Sequence, residues 1–264
     1  MSTAHPILFS APMVRAILAG TKTQTRRIVK PQPIDNQQAD GHFYAGDHST
    51  SVMMDGHPRW REQFAFQAAR WNAGDTLWVK ETHRFQTHEH IEYRADGSTH
   101  RVQDNAEWLR DKDISPKWKP SIFMPLWASR INLDVLAVRV ERLQDITEED
   151  AIAEGIEQLT AGSLIYWNNY AYKGPNKAMD NLSDAVCSEP VESYRTLWNS
   201  INLAPSPLYV KKVIVAYESY PWSDADFDSA HPGVREAGIY RGKPINVVAN
   251  PWVWVITFSN IDRP

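Results

Sequence analysis

The chain has 264 residues, of which 42% are hydrophobic and 23% are charged, as in soluble globular proteins. The formal net charge of −4 argues against a protein that coats nucleic acid over its whole surface, while a local basic patch stays compatible with it. Cys187 is the only cysteine, so no disulfide forms within one chain, which fits a reducing compartment. Because no stretch resembles a signal peptide or a membrane span, we expect a cytoplasmic protein without a membrane partner.

The first predicted elements are a short strand, a helix and a second strand. Residues 6–9 are apolar and predict a buried strand. The helix runs from Ser10 or Ala11 to Ala19, with apolar residues at helical spacing, namely Met13, Val14, Ile17 and Leu18. Gly20 follows at the position where a glycine commonly ends a helix in the left-handed conformation. We predict that the second strand covers residues 23–29.

The segment around the second strand is basic. Between residues 13 and 30 no residue is acidic and five are basic, namely Arg15, Lys22, Arg26, Arg27 and Lys30. A compact cationic turn between two rigid elements suits a phosphate or a nucleobase. A solvated basic face is the other interpretation, and the charges alone do not separate the two. Because neighbouring side chains on a strand point to opposite faces, we expect only one of Arg26 and Arg27 to face a site.

The rest of the chain mixes short helices with strands. Alternating apolar residues predict strands over 76–82, 131–142 and 252–258, with shorter ones at 91–94 and 212–217. Helices are predicted over 103–110, 147–154 and 191–201, the second with Thr147 as its N-cap. Stretches of weak pattern at about 31–67, 157–190 and 203–247 are interpreted as insertions in one domain spanning residues 1–264, the last being turn-rich from residue 220. Since no regular helical crossovers join the strands, we predict an α+β fold whose sheet closes as a small β-barrel.

Few polar residues are placed to carry chemistry. Thr25 is a weak nucleophile unless a base accepts its proton, and Lys22 serves as that base only where burial or neighbouring cations favour the neutral amine. Glu154, at the predicted end of a helix, is suited to orient the lysine or to shuttle a proton. The alternative is that all three are solvated surface residues.

A metal site is not predicted. Three histidines lie close together in the sequence, but no cysteine or carboxylate pattern completes a ligand set with them, the three being His83, His88 and His90. We therefore expect neither a metal nor another cofactor.

The run from Ile17 to Arg27 resembles the opening motif of the ASCH domains, a branch of the PUA-like barrel superfamily. Further blocks match in order, namely 73–79 with Glu81, 138–140 leading into 146–151, and Glu154-Gly155 with the closing strand 252–258. The chain also resembles a phage and prophage subfamily that opens with Phe-Ser-Ala-Pro-Met-Val and ends with Asn-Pro-Trp-Val-Trp-Val. The resemblance covers roughly half of the chain. It implies a PUA-like β-barrel with flanking helices and long loop insertions, located in the host cytoplasm if phage-encoded.

Within this superfamily the motif is similar to that of the small bacterial N(4)-acetylcytidine amidohydrolases. Those enzymes use a Lys, a Thr three residues later, and a Glu in the helix after the central strand. The resemblance implies Lys22 as the general base, Thr25 as the nucleophile and Glu154 as the orienting or proton-shuttling acid. It also implies Arg27, five residues after the lysine, as a contact to the substrate or the oxyanion.

The predicted function is hydrolysis of the acyl-amide of an N(4)-acylated cytidine-type nucleoside or base. Arg26, Trp78 and Glu81 are further candidates for substrate binding, although Glu81 is typical of the wider family rather than of those shorter enzymes. The alternative is a non-catalytic module of phage origin that binds RNA or a modified nucleobase, and a third is an accessory protein that acts through its insertions. The expected partner is a modified nucleoside or single-stranded RNA, and the oligomeric state is left open.

Overall fold

The computed structural model describes residues 2–30, 32–34, 42–45, 52–55, 70–87, 90–101, 117–173 and 182–261. The chain divides into two compact units. Unit 1 comprises Met1–Thr25, Phe66–Val138 and Ile256–Pro264, and unit 2 comprises Arg26–Ala65 and Arg139–Val255. Neither unit is one continuous segment, and the single domain expected from the sequence stays a prediction.

Strands outnumber helices in the described residues. The strands are β1 (Ala4–Leu8), β2 (Gln24–Ile28), β3 (Pro33–Ile34), β4 (His42–Ala45), β5 (Val52–Asp55), β6 (Thr76–Lys80), β7 (His83–Thr87), β8 (His90–Tyr93), β9 (Thr99–Arg101), β10 (Asn132–Arg142), β11 (Gln158–Ala161), β12 (Leu164–Asn168), β13 (Val186–Cys187), β14 (Ser206–Val210), β15 (Val213–Ser219), β16 (Ile239–Tyr240), β17 (Lys243–Val247) and β18 (Trp252–Asn260). The helices are α1 (Ala11–Ala19), α2 (Glu148–Ala153), α3 (Leu182–Ala185), α4 (Pro190–Asn202), α5 (Asp224–Ala230) and α6 (Val234–Ala237).

The largest sheet of the described residues has five strands in the order β1-β6-β10-β18-β2. Its strands β2, β10 and β18 each continue from one unit into the other. Smaller sheets have the orders β3-β4-β5, β7-β8-β9, β11-β12-β13 and β14-β15-β17-β16. The fold is therefore α+β, as expected, and the described strands form several open sheets in which no closed barrel is seen.

Unit 1 is built on β6. This strand pairs in parallel with β1 and antiparallel with β10. Its residues alternate, so that Leu77 and Val79 are buried while Trp78 and Lys80 on the other face are partly exposed. A neighbouring apolar cluster gathers residues from β7, β8 and the two short turns that follow residue 120, namely Phe85, Ile91, Tyr93, Met124 and Ala128.

Unit 2 has its core around α4. Tyr194 and Trp198 lie one helical turn apart and both face a buried cluster, as their spacing predicts. The cluster also takes residues from α2, β12, β13 and β18, among them Ala151, Trp167, Cys187, Val253 and Val255. The lone cysteine is thus part of the packing of unit 2.

Most of the predicted helices and strands are confirmed. Helix α1 ends at Gly20, whose φ of 79° is left-handed, and Thr147 caps α2 by accepting a hydrogen bond from the Asp150 backbone. The stretch 220–247, expected to be turn-rich, also contains α5, α6, β16 and β17, all short enough to leave little periodicity. The predicted helix 103–110 lies outside the described residues, as do large parts of the insertion at 31–67. None of the described helices has the length and apolarity needed to cross a bilayer.

Candidate functional site

Lys22 and Thr25 follow the turn that ends α1, and both belong to unit 1. The backbone N–H groups of Thr21 and Lys22 donate to the carbonyl oxygen of Ala16, which fixes the chain direction as it leaves the helix. The Lys22 residue is 2% exposed and the Thr25 residue 3% exposed. The structure therefore excludes the interpretation that these two residues are solvated.

The Lys22 amine is buried beside a backbone carbonyl oxygen and an aromatic ring. Its Nζ donates to the carbonyl oxygen of Gln24 at 2.8 Å and stands 5.6 Å from the ring centroid of Phe9. The amine is thus hydrogen-bonded to the backbone of its own segment, two residues further along the chain.

Arg26 lies at the centre of a charged cluster in unit 2, which we call the Arg26 cluster. Its Nη1 donates to Glu154 Oε1 at 3.2 Å, and its Nη2 donates to Glu141 Oε1 at 2.5 Å and to Asp150 Oδ2 at 2.7 Å. Arg139 completes the cluster, since it donates to Glu141 Oε2 at 3.0 Å and to Asp150 Oδ2 at 2.6 Å. The two arginines differ in burial, because the side chain of Arg26 is fully buried and that of Arg139 is 43% exposed.

Local secondary structure places the members of the Arg26 cluster. Asp150 lies in the first turn of α2 and Glu154 is the C-cap of that helix, four residues further on, so the two carboxylates lie on one face. Arg139 and Glu141 are two residues apart on β10 and therefore share a side of that strand. Glu154 is only 4% exposed, so the interpretation of a solvated helix residue is excluded for it as well.

Burial and the Glu154 carboxylate are the main influences on the pKa values of Arg26, Arg27 and Tyr194. Burial opposes the charge of the Arg26 guanidinium, but the carboxylates of Glu154 and Glu141 more than offset it and raise its pKa above the ordinary value. Burial lowers the pKa of Arg27, against the opposing effect of the Glu154 carboxylate. Burial and Glu154 also raise the pKa of Tyr194, whose ring centroid lies 5.8 Å from Arg26 Cζ. The Tyr194 hydroxyl therefore stays protonated, and its ring borders the cluster as an uncharged side chain.

Glu81 is held in a second charged cluster, in unit 1. Arg130 binds both of its carboxylate oxygens, with Nε to Oε1 at 2.7 Å and Nη2 to Oε2 at 2.9 Å. The same guanidinium binds Asp96 through two further hydrogen bonds of 2.8 and 3.1 Å and lies 4.2 Å from the ring centroid of Tyr93. Burial raises the pKa of Glu81 although Arg130 acts in the opposite direction. Its bidentate pairing is typical of an internal ion pair that holds two loops together.

Trp78 is half-buried on β6 in unit 1. The Nζ of Lys80, two residues on and on the same face, lies 5.3 Å from the centroid of the Trp78 ring. A cation beside a partly exposed indole is a surface on which a nucleobase can stack.

The histidines do not form a metal centre in the part of the chain that is described. His83 is fully buried, and its Nδ1 lies 3.1 Å from the carbonyl oxygen of Glu81. Burial lowers its pKa, with Lys119 acting in the same direction. His88 lies outside the described residues, and no group of three His, Cys, Asp or Glu residues suited to a metal occurs within them.

The structure assigns the predicted site residues to both units. Lys22, Thr25, Trp78 and Glu81 belong to unit 1, whereas Arg26, Arg27 and Glu154 belong to unit 2. The convergence of Lys22, Thr25 and Glu154 stays a prediction. Sequence reasoning missed the other members of the two charged clusters, namely Glu141, Asp150 and Arg139 around Arg26, and Arg130 and Asp96 around Glu81. The only available signal was the alternation of Arg139 and Glu141 on one face of a predicted strand.

Comparisons of this chain with protein-family models, with curated proteins and with solved structures found no match.

Proposed function

We propose that the protein is an amidohydrolase that removes an acyl group from the N(4) atom of a cytidine-type nucleoside or base, on a PUA-like scaffold. The observation that carries the proposal is the burial of Lys22 and Thr25 at the turn after α1. A buried lysine amine three residues before a buried hydroxyl supplies the base and the nucleophile that amide hydrolysis requires. The resemblance of this turn to ASCH domains supplies the substrate class.

The proposed reaction has two halves. Thr25 Oγ1 attacks the acyl carbonyl carbon while the neutral Lys22 amine accepts the hydroxyl proton, and the carbonyl electron pair moves to oxygen. The bond from carbon to N(4) then breaks, and Lys22 returns the proton to the departing amine. This leaves an acyl ester on Thr25. A water molecule that is deprotonated by Lys22 attacks the ester, and a free acid and the Thr25 hydroxyl are released.

The charged residues are given distinct parts in this proposal. Arg26 is engaged by three carboxylates, which favours a positioning role for it. Arg27 is the proposed contact to the oxyanion, as the resemblance implies. Glu154 is the proposed proton shuttle, oriented by its hydrogen bond from Arg26. Trp78 is the proposed stacking surface for the base. Glu81, bound on both oxygens by Arg130, is expected to affect stability more than substrate affinity.

The test is release of free acid from N(4)-acetylcytidine and longer N(4)-acyl analogues, followed by chromatography. Thr25→Ala and Lys22→Met are each expected to lower kcat by at least about a hundredfold with little change in nucleoside affinity, because both groups act in bond making. Thr25→Ser is expected to retain part of the activity. Thr23→Ala is the matched control, since Thr23 is an exposed threonine two residues away.

Two outcomes would contradict the proposal. Binding of the nucleoside without product for any acyl group would replace it by the non-catalytic reader of a modified base. Product formation that survives Thr25→Ala would remove the threonine from the reaction. A cytoplasmic location accompanies the proposal and is supported by the single buried cysteine.

A further inference from the structure

Two tight turns project from the same end of the sheet β14-β15-β17-β16 in unit 2. Strands β14 and β15 are joined by the two residues Lys211 and Lys212, and β16 and β17 by Arg241 and Gly242. Strands β15 and β17 are parallel, and each begins directly after its turn. Both turns therefore lie at the end of the sheet where these two strands start.

The register brings the two turns close along the strand direction. Tyr217 of β15 lies opposite Ile245 of β17. Continued toward the turns, this register sets Arg241 level with Val213, the residue that follows Lys212. The two turns are then about 7 Å apart along the strands, at about 3.3 Å per residue. The ring of Tyr240 packs edge-on against Tyr217 at 5.0 Å between centroids, which ties the second turn to β15.

The end of this sheet is positively charged. Four exposed basic residues lie in or beside the turns, namely Lys211, Lys212, Arg241 and Lys243. The segments 203–217 and 239–247 contain no acidic residue. Among the described residues, no carboxylate pairs with any of these four cations, unlike the arginines of the Arg26 cluster. We call this surface the basic turn end.

The backbone of the two turns is unusual for basic residues. Lys211, Lys212 and Arg241 have φ values of 48°, 69° and 50°, in the left-handed region that costs a residue with a side chain roughly 1 kcal/mol. Two-residue hairpin turns of this geometry favour Asn-Gly because those residues tolerate it. Long cationic side chains therefore occupy turn positions at which asparagine and glycine would be more stable. Such locally unfavourable residues are typical of binding sites.

Two tyrosines accompany the cations, of which Tyr209 is exposed and Tyr240 is half-buried. Tyr209 is 61% exposed, and Arg241 Cζ lies 5.3 Å from the ring centroid of Tyr240. Cations interleaved with accessible aromatic rings are the combination that binds single-stranded nucleic acid, since the cations meet phosphates and the rings stack on bases. A duplex buries its base faces and would leave Tyr209 without a stacking partner.

We propose that the basic turn end binds the backbone of a single-stranded polynucleotide, with Lys211, Lys212, Arg241 and Lys243 on phosphates and Tyr209 stacked on a base. This binding goes beyond the proposed hydrolysis and does not depend on it, because the surface contains none of the proposed catalytic residues.

The experiment measures fluorescence anisotropy of a labelled oligouridylate of about 20 nucleotides, a length that spans more than one binding footprint. Oligouridylate contains no cytosine, so the result is independent of any hydrolytic activity. The full-length protein is expected to bind it, with affinity falling steeply between about 50 and about 200 mM salt. The same measurement with an oligothymidylate shows whether the surface prefers single-stranded RNA or single-stranded DNA.

The key variant is Lys211→Asn with Lys212→Gly, which removes two charges while installing the residues that this turn geometry prefers. We expect at least roughly tenfold weaker binding. The slope of log affinity against log salt concentration should also be smaller in magnitude by about 1.4, because two phosphate contacts are lost. Tyr209→Ala is expected to weaken binding at least about fivefold, and Tyr209→Phe to restore it, because only the ring is needed for stacking.

The control is Lys117→Gln with Lys173→Gln, which removes two exposed lysines elsewhere and is expected to leave binding nearly unchanged. Equal weakening by the two double variants would overturn the proposal, as would a wild-type protein that does not bind either oligonucleotide. Binding to phosphatidylserine vesicles but not to oligonucleotides would assign the surface to a membrane instead, with the exposed Val210 and Val213 as its apolar contacts. Tighter binding to duplex RNA would exclude the stacking role of Tyr209.

Discussion

Arg26 shows how strongly burial changes the role of a charged residue. Its guanidinium and that of Arg139 contact the same two carboxylates, Glu141 and Asp150, yet the first side chain is fully buried and the second 43% exposed. An exposed ion pair contributes little because water solvates both partners. A buried cation among carboxylates cannot be removed without leaving those charges close together and desolvated.

We therefore expect Arg26→Met to lower the free energy of unfolding by about 3–5 kcal/mol, the cost of breaking a buried ion pair. Arg139→Met, the matched control, is expected to cost less than about 1 kcal/mol. Urea denaturation of both variants measures the difference. Equal losses for the two would show that burial does not set the contribution of these pairs.

Cys187 offers a second prediction at this scale. Burial raises its pKa to about 11, with a smaller contribution from the Glu192 carboxylate. The thiolate, which is the reactive form, is therefore nearly absent at about pH 8. We expect native protein to resist alkylation by iodoacetamide and the urea-unfolded chain to react at the rate of a free thiol. Labelling of the native protein at that same rate would contradict the burial of this residue.

The sequence identifies individual residues better than it identifies their partners. The spacing of Lys22, Thr25, Arg26 and Arg27 was readable because the four residues lie within the short segment 22–27, which leads from the end of α1 into β2. The partners of Arg26 are 115 to 128 residues away in the chain, and no local pattern indicates which carboxylates a buried arginine will meet. Long-range ion pairs depend on the packing of the whole unit, so single-sequence reasoning does not reach them.

At the scale of elements, the turn from α1 into β2 was predicted well because its signals are local. Gly20 adopts a φ of 79° and closes the helix by donating its backbone N–H to the carbonyl oxygen of Ile17. The same reasoning fails for residues 220–247, where α6 has four residues and β16 two. Elements so short show only about one period of a hydrophobic pattern, which is too little to recognise, and tertiary packing determines them.

The helix end gives a stability prediction. Gly20→Ala is expected to destabilise the protein by roughly 1 kcal/mol, since a Cβ disfavours the left-handed conformation. Gly20→Asn is expected to cost less, because asparagine tolerates that region better. Thermal or urea unfolding of the two variants measures the order. If asparagine proved as costly as alanine, steric crowding rather than backbone conformation would be the cause.

The turn between β8 and β9 gives a prediction about pH. Burial opposes the charge of Asp96, but hydrogen bonds from Arg130 and Ser98 outweigh it and lower the pKa of this carboxyl to about 2 from an ordinary 3.8. Because the folded value lies below the unfolded one, the ionised carboxylate stabilises the fold above about pH 4, and this contribution is lost as pH falls toward about 2. Wild type and Asp96→Asn should therefore differ most in unfolding free energy near pH 7 and converge in acid. A difference that stays constant with pH would contradict this linkage.

At the scale of the whole molecule, the first 30 residues serve both units. In unit 1, β1 pairs with β6 and α1 buries Val14 and Ile17. In unit 2, Ile28 packs against the cluster around α4, and Val29 donates its backbone N–H to the carbonyl oxygen of Trp252. The sequence predicted the α+β class from its elements, but it did not indicate that the two compact units each draw on separated segments. That partition depends on strand pairing over long sequence distances, which local patterns do not encode.

This arrangement predicts the behaviour of a chain cut after residue 30. The segment 31–264 lacks β1, the partner of β6, and it lacks Arg26, the shared cation of Glu141, Asp150 and Glu154. We expect it to lose cooperative urea unfolding and near-ultraviolet circular dichroism, because both units are incomplete. Addition of a synthetic peptide of residues 2–30 is expected to restore both signals, whereas the same peptide with Arg26→Met should bind more weakly and restore less. Cooperative unfolding of 31–264 alone would show that neither unit needs this segment, and equal rescue by the two peptides would show that Arg26 contributes no net stability to unit 2.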